Sequence, residues 1–162
     1  MDNKEKTREA ISCFVTQTNY CSLGKLFRLL YFMDFTHFME AGRSVTGLEY
    51  TAHQYGAIPC VLWQKIIGDS HSYADVAKEL AVTYSLGQIY ERLGKQVPTD
   101  CLSNREKRII SSLSSKYILT PCCYMDEGDH FESRPSRVTF EKYHHDGVFE
   151  YLTIPYALAI RE

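Results

Sequence analysis

The sequence predicts a mainly helical (α+β) domain packed around one buried central helix, with a few short β-strands. Three observations predict it. Residues 29–44, LLYFMDFTHFMEAGRS, are apolar on nearly every side at helical spacing. Ser103-Asn104-Arg105-Glu106 is an S-x-x-E capping box ahead of Ile109, Ile110 and Leu113, which share one helix face. Between these segments Leu48, Tyr50 and Ala52 alternate with Glu49, Thr51 and His53, the period of a short strand.

The elements follow from the amino terminus onward. Residues 3–17 fit a first helix, with Ile11, Phe14 and Val15 on one face. Asn19 to Ser22 is a polar break, and Ser22 is placed to cap the next helix. That helix runs from about Leu23 to Met39. Leu23, Leu26, Phe27, Leu30, Tyr31, Asp34 and Phe38 lie at steps of three and four, while Phe32, Met33 and Phe35 fill the other sides. Lys25 and Arg28 alone read as solvated. Gly42 suits a left-handed cap, and Thr46-Gly47 marks the turn before the strand. Gly56 permits tight backbone, and Pro59 fits the first position of a third helix reaching about Ile67.

Farther along, Ser72 to Asp75 resembles a capping box with a shorter acid, and Tyr73, Val76, Ala77 and Leu80 share a helix face. Val82 to Tyr90 fits strand and helix equally, and Gly94 to Asp100 reads as a loop. The capped helix spans 104–117. Residues 121–137 read as loop. Residues 138–154 read as a β-hairpin turning at Asp146-Gly147, because VTFEKY and VFEYLTI are β-prone.

Composition narrows the function classes. The 162 residues suffice for one core, no linker or repeat divides them, and residues 1–162 are read as a single domain. The net charge is −2, and the densest basic cluster is Arg105, Lys107 and Arg108, which argues against phosphate-backbone binding. The charged start, MDNKEKTREA, has no apolar signal region, and no apolar run is long enough to span a bilayer, so a cytoplasmic protein is expected. Cys13, Cys21, Cys60, Cys101, Cys122 and Cys123 form no CxxC and no zinc spacing; a Cys122–Cys123 bridge would be strained. The aromatic complement of 12 Tyr and 8 Phe is enough to furnish both a core and a contact surface.

Asp34 and His37 are the chemical question. Three residues apart, they share a helix edge and could perform acid–base work. Neither a nucleophile nor a metal motif accompanies them. A buried carboxylate accepting backbone hydrogen bonds is the structural alternative, and segment 53–59, with its free amides, is the nearest candidate partner. His53, His71, His130, His144 and His145 show no metal-ligand spacing, and no phosphate-binding, dinucleotide or nucleophile-elbow motif occurs. Cys60, behind Pro59 at a helix start, is a candidate thiolate, with core packing as the alternative. No cofactor and no metal are expected, and residues alone point to a non-enzymatic domain.

Residues 25–59, KLFRLLYFMDFTHFMEAGRSVTGLEYTAHQYGAIP, resemble the Panacea, or SocA-like, antitoxin domain. That family shows K-L-L-Y-F-x-D-x-x-H, then G-R-x-[VI]-T-G, Y-x-A and G-P-[VI]-P. Lys25, Leu30, Tyr31, Phe32, Asp34 and His37 match on the helix. Gly42, Arg43, Thr46, Gly47, Tyr50, Ala52, Tyr55, Gly56, Ile58 and Pro59 follow in order. Leu102-Ser103 with Glu106, then Met125, His130, Glu132 and Pro135, and finally Gly147, Ile154 and Tyr156 extend the resemblance. Ala57 replaces the family's Pro, and Ser136 stands where a Trp is common. The resemblance favours a short helix and coil over 138–154, against the hairpin.

What the resemblance implies is protection. Its members look like antitoxins of two-gene toxin–antitoxin systems, many phage-associated, which bind the toxin encoded beside them; some act as protease adaptors. Tyr31, Asp34, His37, Gly42, Thr46, Gly47, Tyr50, Gly56 and Pro59 then form a structural motif, with Asp34 and His37 tying the central helix to the YGAIP turn. Arg43, Tyr50, His53, Tyr55, Tyr143, Tyr151 and Tyr156 are the candidate partner-binding residues. A small enzyme using Asp34 and His37 to reverse a toxin's modification is the remaining alternative.

Overall fold

Helix α1 (Asn3–Gln17) leads through a short break into α2 (Leu23–Ala41), the longest element. The computed structural model describes residues 3–68, 76–94, 100–145 and 152–160, and of 143–145 the backbone alone. Ser22 caps α2 by accepting the Lys25 amide, and Gly42, at φ 73°, closes it by donating to the Phe38 carbonyl. A left-handed residue is needed there, and glycine adopts it without a Cβ clash. Thirteen of the 19 residues of α2 are buried, which makes it the axis of the molecule. Its buried Leu and Phe side chains each contribute roughly 1.5–3 kcal/mol.

The rest is layered on that axis. The hairpin β1 (Thr51–His53) and β2 (Gly56–Ile58) pairs antiparallel through a Gln54-Tyr55 loop and abuts α2. Helices α3 (Cys60–Ile67), α4 (Val76–Leu80) and α5 (Leu86–Leu93) follow, then α6 (Asn104–Lys116) and α7 (Pro135–His145). Helices α1, α4 and α6 pack on α2, α5 packs on α1 and α3, and α7 covers the hairpin. Short 3-10 turns at Cys122–Tyr124, Glu127–Asp129 and Tyr156–Ala159 complete the described chain. The fold is thus mainly helical with one small sheet. Among the described residues no helix is long and apolar enough to cross a membrane.

Several expectations are corrected. Lys25 is fully buried, not solvated. Its Nζ donates to the Tyr117 carbonyl at 2.6 Å, at the end of α6, and to the Asn19 carbonyl at 3.0 Å, just past α1. Helix C-termini carry partial negative charge, so two carbonyls satisfy an ammonium that burial pulls below its usual pKa. The strand starts at Thr51 rather than Leu48, because Val45, Thr46 and Tyr50 are committed to α2. Pro59 precedes α3 as its cap residue rather than occupying its first turn. Of segment 82–90, residues 86–90 belong to helix α5, started by a Ser85–Gln88 capping box, and 82–85 are neither helix nor strand.

The larger correction concerns 138–154. Residues 135–145 are helical, and Thr153 makes an isolated bridge to Thr51. Pro135 opens α7, where a missing N–H is harmless. The Glu127 carboxylate accepts the next two amides, Ser136 at 3.1 Å and Arg137 at 2.8 Å. This cap comes from a preceding turn, and it outweighs the local β preference of Val138, Thr139 and Phe140. The expected Asp146-Gly147 turn, the Ser72–Asp75 box and residues 95–99 of the expected loop lie outside the described residues.

Candidate functional site

Asp34 is fully buried on α2. Its Oδ1 accepts the Val45 amide at 2.9 Å and the Thr46 amide at 3.0 Å. Its Oδ2 accepts the Thr46 hydroxyl at 2.5 Å and the Tyr50 hydroxyl at 2.7 Å. Burial raises its pKa above the usual carboxylate value, and the four hydrogen bonds oppose that rise. His37 donates from Nδ1 to the Arg43 carbonyl at 2.6 Å, because a carbonyl can only accept. Its Nε2 lies 3.9 Å from Glu106 Oε1, which also takes the Lys6 ammonium at 2.7 Å.

Asp34 and His37 therefore fasten α2 to segment 43–50, not to the 53–59 turn. The chain folds back at Gly42 and Gly47 (each φ 73°), so the amides just past the helix end reach Asp34 first. Residues 53 and 56 instead pair across the hairpin. Asp34 and His37 are both buried and hold separate partners, so neither presents a reactive atom to a substrate. Among the described residues no three His, Cys, Asp or Glu side chains gather to hold a metal.

Two partner candidates pack inward, Tyr50 in the core and Tyr156, half-buried, against it. Tyr50 is fully buried against Tyr31 and Phe35, and cannot touch a partner. Tyr156 stacks on Phe35 at 4.3 Å and donates its hydroxyl to the Leu48 carbonyl at 2.5 Å. Arg43 is exposed past the end of α2. Tyr151 and the Tyr143 side chain lie outside the described residues. Cys60 is half-buried, its Sγ 2.9 Å from the Thr51 hydroxyl.

The open surface lies at the other end of α2. Arg28 reaches out between the hairpin and the 121–125 turn. It donates from Nη2 to the Tyr55 carbonyl at 2.9 Å and from Nη1 to the Met125 carbonyl at 2.5 Å. Two hollows meet over it, sharing Arg28, Ala57 and Cys123. One, about 630 Å³, runs past His53, Met125 and Glu127 toward Phe140. The other, about 470 Å³, is walled by Phe27, Ile58, Leu80 and Cys122. Gly24 lets these walls close up: a Cβ there would meet Cys122 Sγ and the Leu80 carbonyl at 3.2 Å.

Aromatic rings stand around this groove. Tyr20 is 79% exposed, Tyr124 74% and Tyr55 41%. Tyr20 sits at φ 53°, and Tyr55 stacks on His53 with ring centroids 5.2 Å apart. His53 is itself buried, and burial lowers its pKa. Behind the groove, Glu127 accepts the Tyr31 hydroxyl at 2.6 Å, tying the wall to α2. Of these residues, sequence reasoning singled out Tyr55 and His53 as contacts. Arg28, Tyr20 and Tyr124 were missed. A lone tyrosine inside a polar break, as at Asn19–Ser22, was the available signal for Tyr20.

Comparison with known families gives one result. The family model described as "Antitoxin SocA-like, Panacea domain" matches residues 26–118. The match covers more than half of the chain and takes in most of α2, the Asp34 contacts, the hairpin and α6; the chain belongs to this family. No curated protein and no solved structure matches it.

Proposed function

We propose that this protein is the antitoxin of a two-gene toxin–antitoxin system, and that it neutralises its co-encoded toxin in the cytoplasm by binding it directly in the Arg28 groove. Family membership supports the antitoxin role. The observation that carries the binding mode is the ring of exposed tyrosines, Tyr20, Tyr55 and Tyr124, around a groove of mixed apolar and polar lining. Tyrosine supplies large contact area at low conformational cost and is enriched at binding hot spots. Asp34 and His37 serve this function indirectly, by fixing the fold on which the groove is built.

The test is co-expression with the neighbouring open reading frame. Induced alone, that gene arrests growth; with this protein, growth recovers and the two proteins co-purify as a stable complex. A toxic neighbour that the protein neither relieves nor binds refutes the proposal. Relief through rapid loss of the toxin, without a stable complex, marks a protease adaptor instead.

A further inference from the structure

Arg28 is the sole charged residue lining the apolar hollow, among the described residues. It donates to two backbone carbonyls and meets the Cys122 side chain, and none of these brings a full counter-charge. Its Nε–H is buried and has no hydrogen-bond partner there. Under-satisfied guanidinium N–H groups favour a carboxylate, which takes two at once.

The carboxylates of the adjoining hollow are already engaged. Glu127 holds the Tyr31 hydroxyl and two α7 amides. Asp126 accepts the Gly128 amide and lies 4.0 Å from Arg134. Glu141 pairs with Arg137 at 2.8 Å. Arg28 itself has no acidic side chain within salt-bridge distance among the described residues. A counter-ion for Arg28 is left for an occupant of the groove to supply.

We propose that the groove takes an apolar segment of the toxin carrying one Asp or Glu side chain, whose carboxylate docks on Arg28. This rests on the antitoxin reading above. Arg28 lies on the wall that the two hollows share, so a bound chain that passes it has the second hollow to enter. That favours an internal acidic side chain over a terminal carboxylate. Apolar neighbours of the acid fill the hollow walled by Phe27, Ile58 and Leu80, and the rim tyrosines close over them.

The experiment uses the full-length protein and the product of the neighbouring gene. A photo-crosslinking residue at position 55 maps the toxin segment that reaches the groove. Arg28→Glu is then combined with lysine substitutions at each acidic residue of that segment. Arg28→Glu is expected to weaken binding at least tenfold, and one lysine variant of the toxin to restore it. Because Arg28 also joins the hairpin to the 121–125 turn, restoration separates pairing from a folding defect. No complex with the wild-type protein overturns the antitoxin reading, and this inference with it. A complex that Arg28→Glu leaves intact overturns this inference alone. So does failure of every lysine variant to restore binding, or a crosslink to the toxin's C-terminus with binding abolished by one added residue.

Discussion

Asp34 and Arg28 sit six residues apart on one helix and meet opposite environments. Asp34 is sealed in the core with four donors on its two oxygens. Arg28 stands at the surface between two carbonyls with no counter-ion among the described residues. The difference teaches how to read a charged residue on an apolar helix. A charge whose bonding capacity is met from within holds the fold together. A charge whose capacity is partly spent is available to a partner.

The largest effect expected from breaking this contrast is at Asp34. Asp34→Ala strands two buried amides and two buried hydroxyls, and a loss of about 3–5 kcal/mol is expected in chemical denaturation. Asp34→Asn keeps an oxygen for the amides of Val45 and Thr46 and loses less. Wherever the Asn variant stays folded, toxin binding is unchanged. Normal stability together with abolished binding would move Asp34 from the fold to the site.

Arg28's end predicts the reverse pattern. Tyr20→Ala and Tyr124→Ala remove exposed rings, so stability changes stay within about 0.5 kcal/mol. Affinity for the toxin, measured by calorimetry, falls by about 2 kcal/mol for whichever ring lies at the centre of the contact. Unchanged affinity for Tyr20→Ala, Tyr55→Ala and Tyr124→Ala would move the interface off the groove.

The two regions also differ in how far the sequence exposed them. Helices α1, α2 and α6 were legible because their apolar spacing and caps are local: Ser22 and Ser103 sit beside the helices they start. That Asp34 accepts backbone hydrogen bonds from a nearby loop was legible too, from the cost of burying a carboxylate. Its partner segment was not, since which amides reach it depends on the fold-back at Gly42. Helix α7 was hidden because its cap, Glu127, arrives from a separate turn, while Val138, Thr139 and Phe140 locally favour a strand. The Ser85–Gln88 box was present, but β-prone residues around Val82 obscured it. The groove was least legible. Arg28, Tyr55 and Met125 meet only in three dimensions, and nothing in their spacing announces it.

A smaller effect sharpens the core side of the comparison. Glu106 is buried; desolvation alone would raise its pKa, but the Lys6 ammonium and the Ser103 amide hold it below the usual 4.5. A depressed folded pKa stabilises above the unfolded value, and that stabilisation is lost as pH falls through the folded value. Lys6→Met is expected to cost about 1.5 kcal/mol at neutral pH. It also raises the pH of acid unfolding. An unshifted acid transition would show the pair to be without net effect.

The last effect, one of pH alone, falls nearest the groove. His130 lies in the turn after Glu127, its ring 4.5 Å from Phe32 and its Nε2 facing the Tyr117 hydroxyl at 2.5 Å. Burial, with Lys116 adding to it, pushes its pKa down to about 4 from the usual 6.5. Below 6.5 the unfolded chain takes up a proton that the folded chain refuses, so stability falls as pH drops from 6.5 toward 4. Above 6.5 the contribution is complete. The Glu106 loss begins only below 4.5, so between 6.5 and 4.5 the two are separable. In that window the wild-type protein loses stability relative to His130→Gln, measured by denaturation at a series of pH values. Parallel curves would mean that the ring is protonated as readily in the folded protein as in the unfolded one. Where the curves diverge, mild acid strains the turn that carries His130 beside Met125 and Glu127, the groove wall.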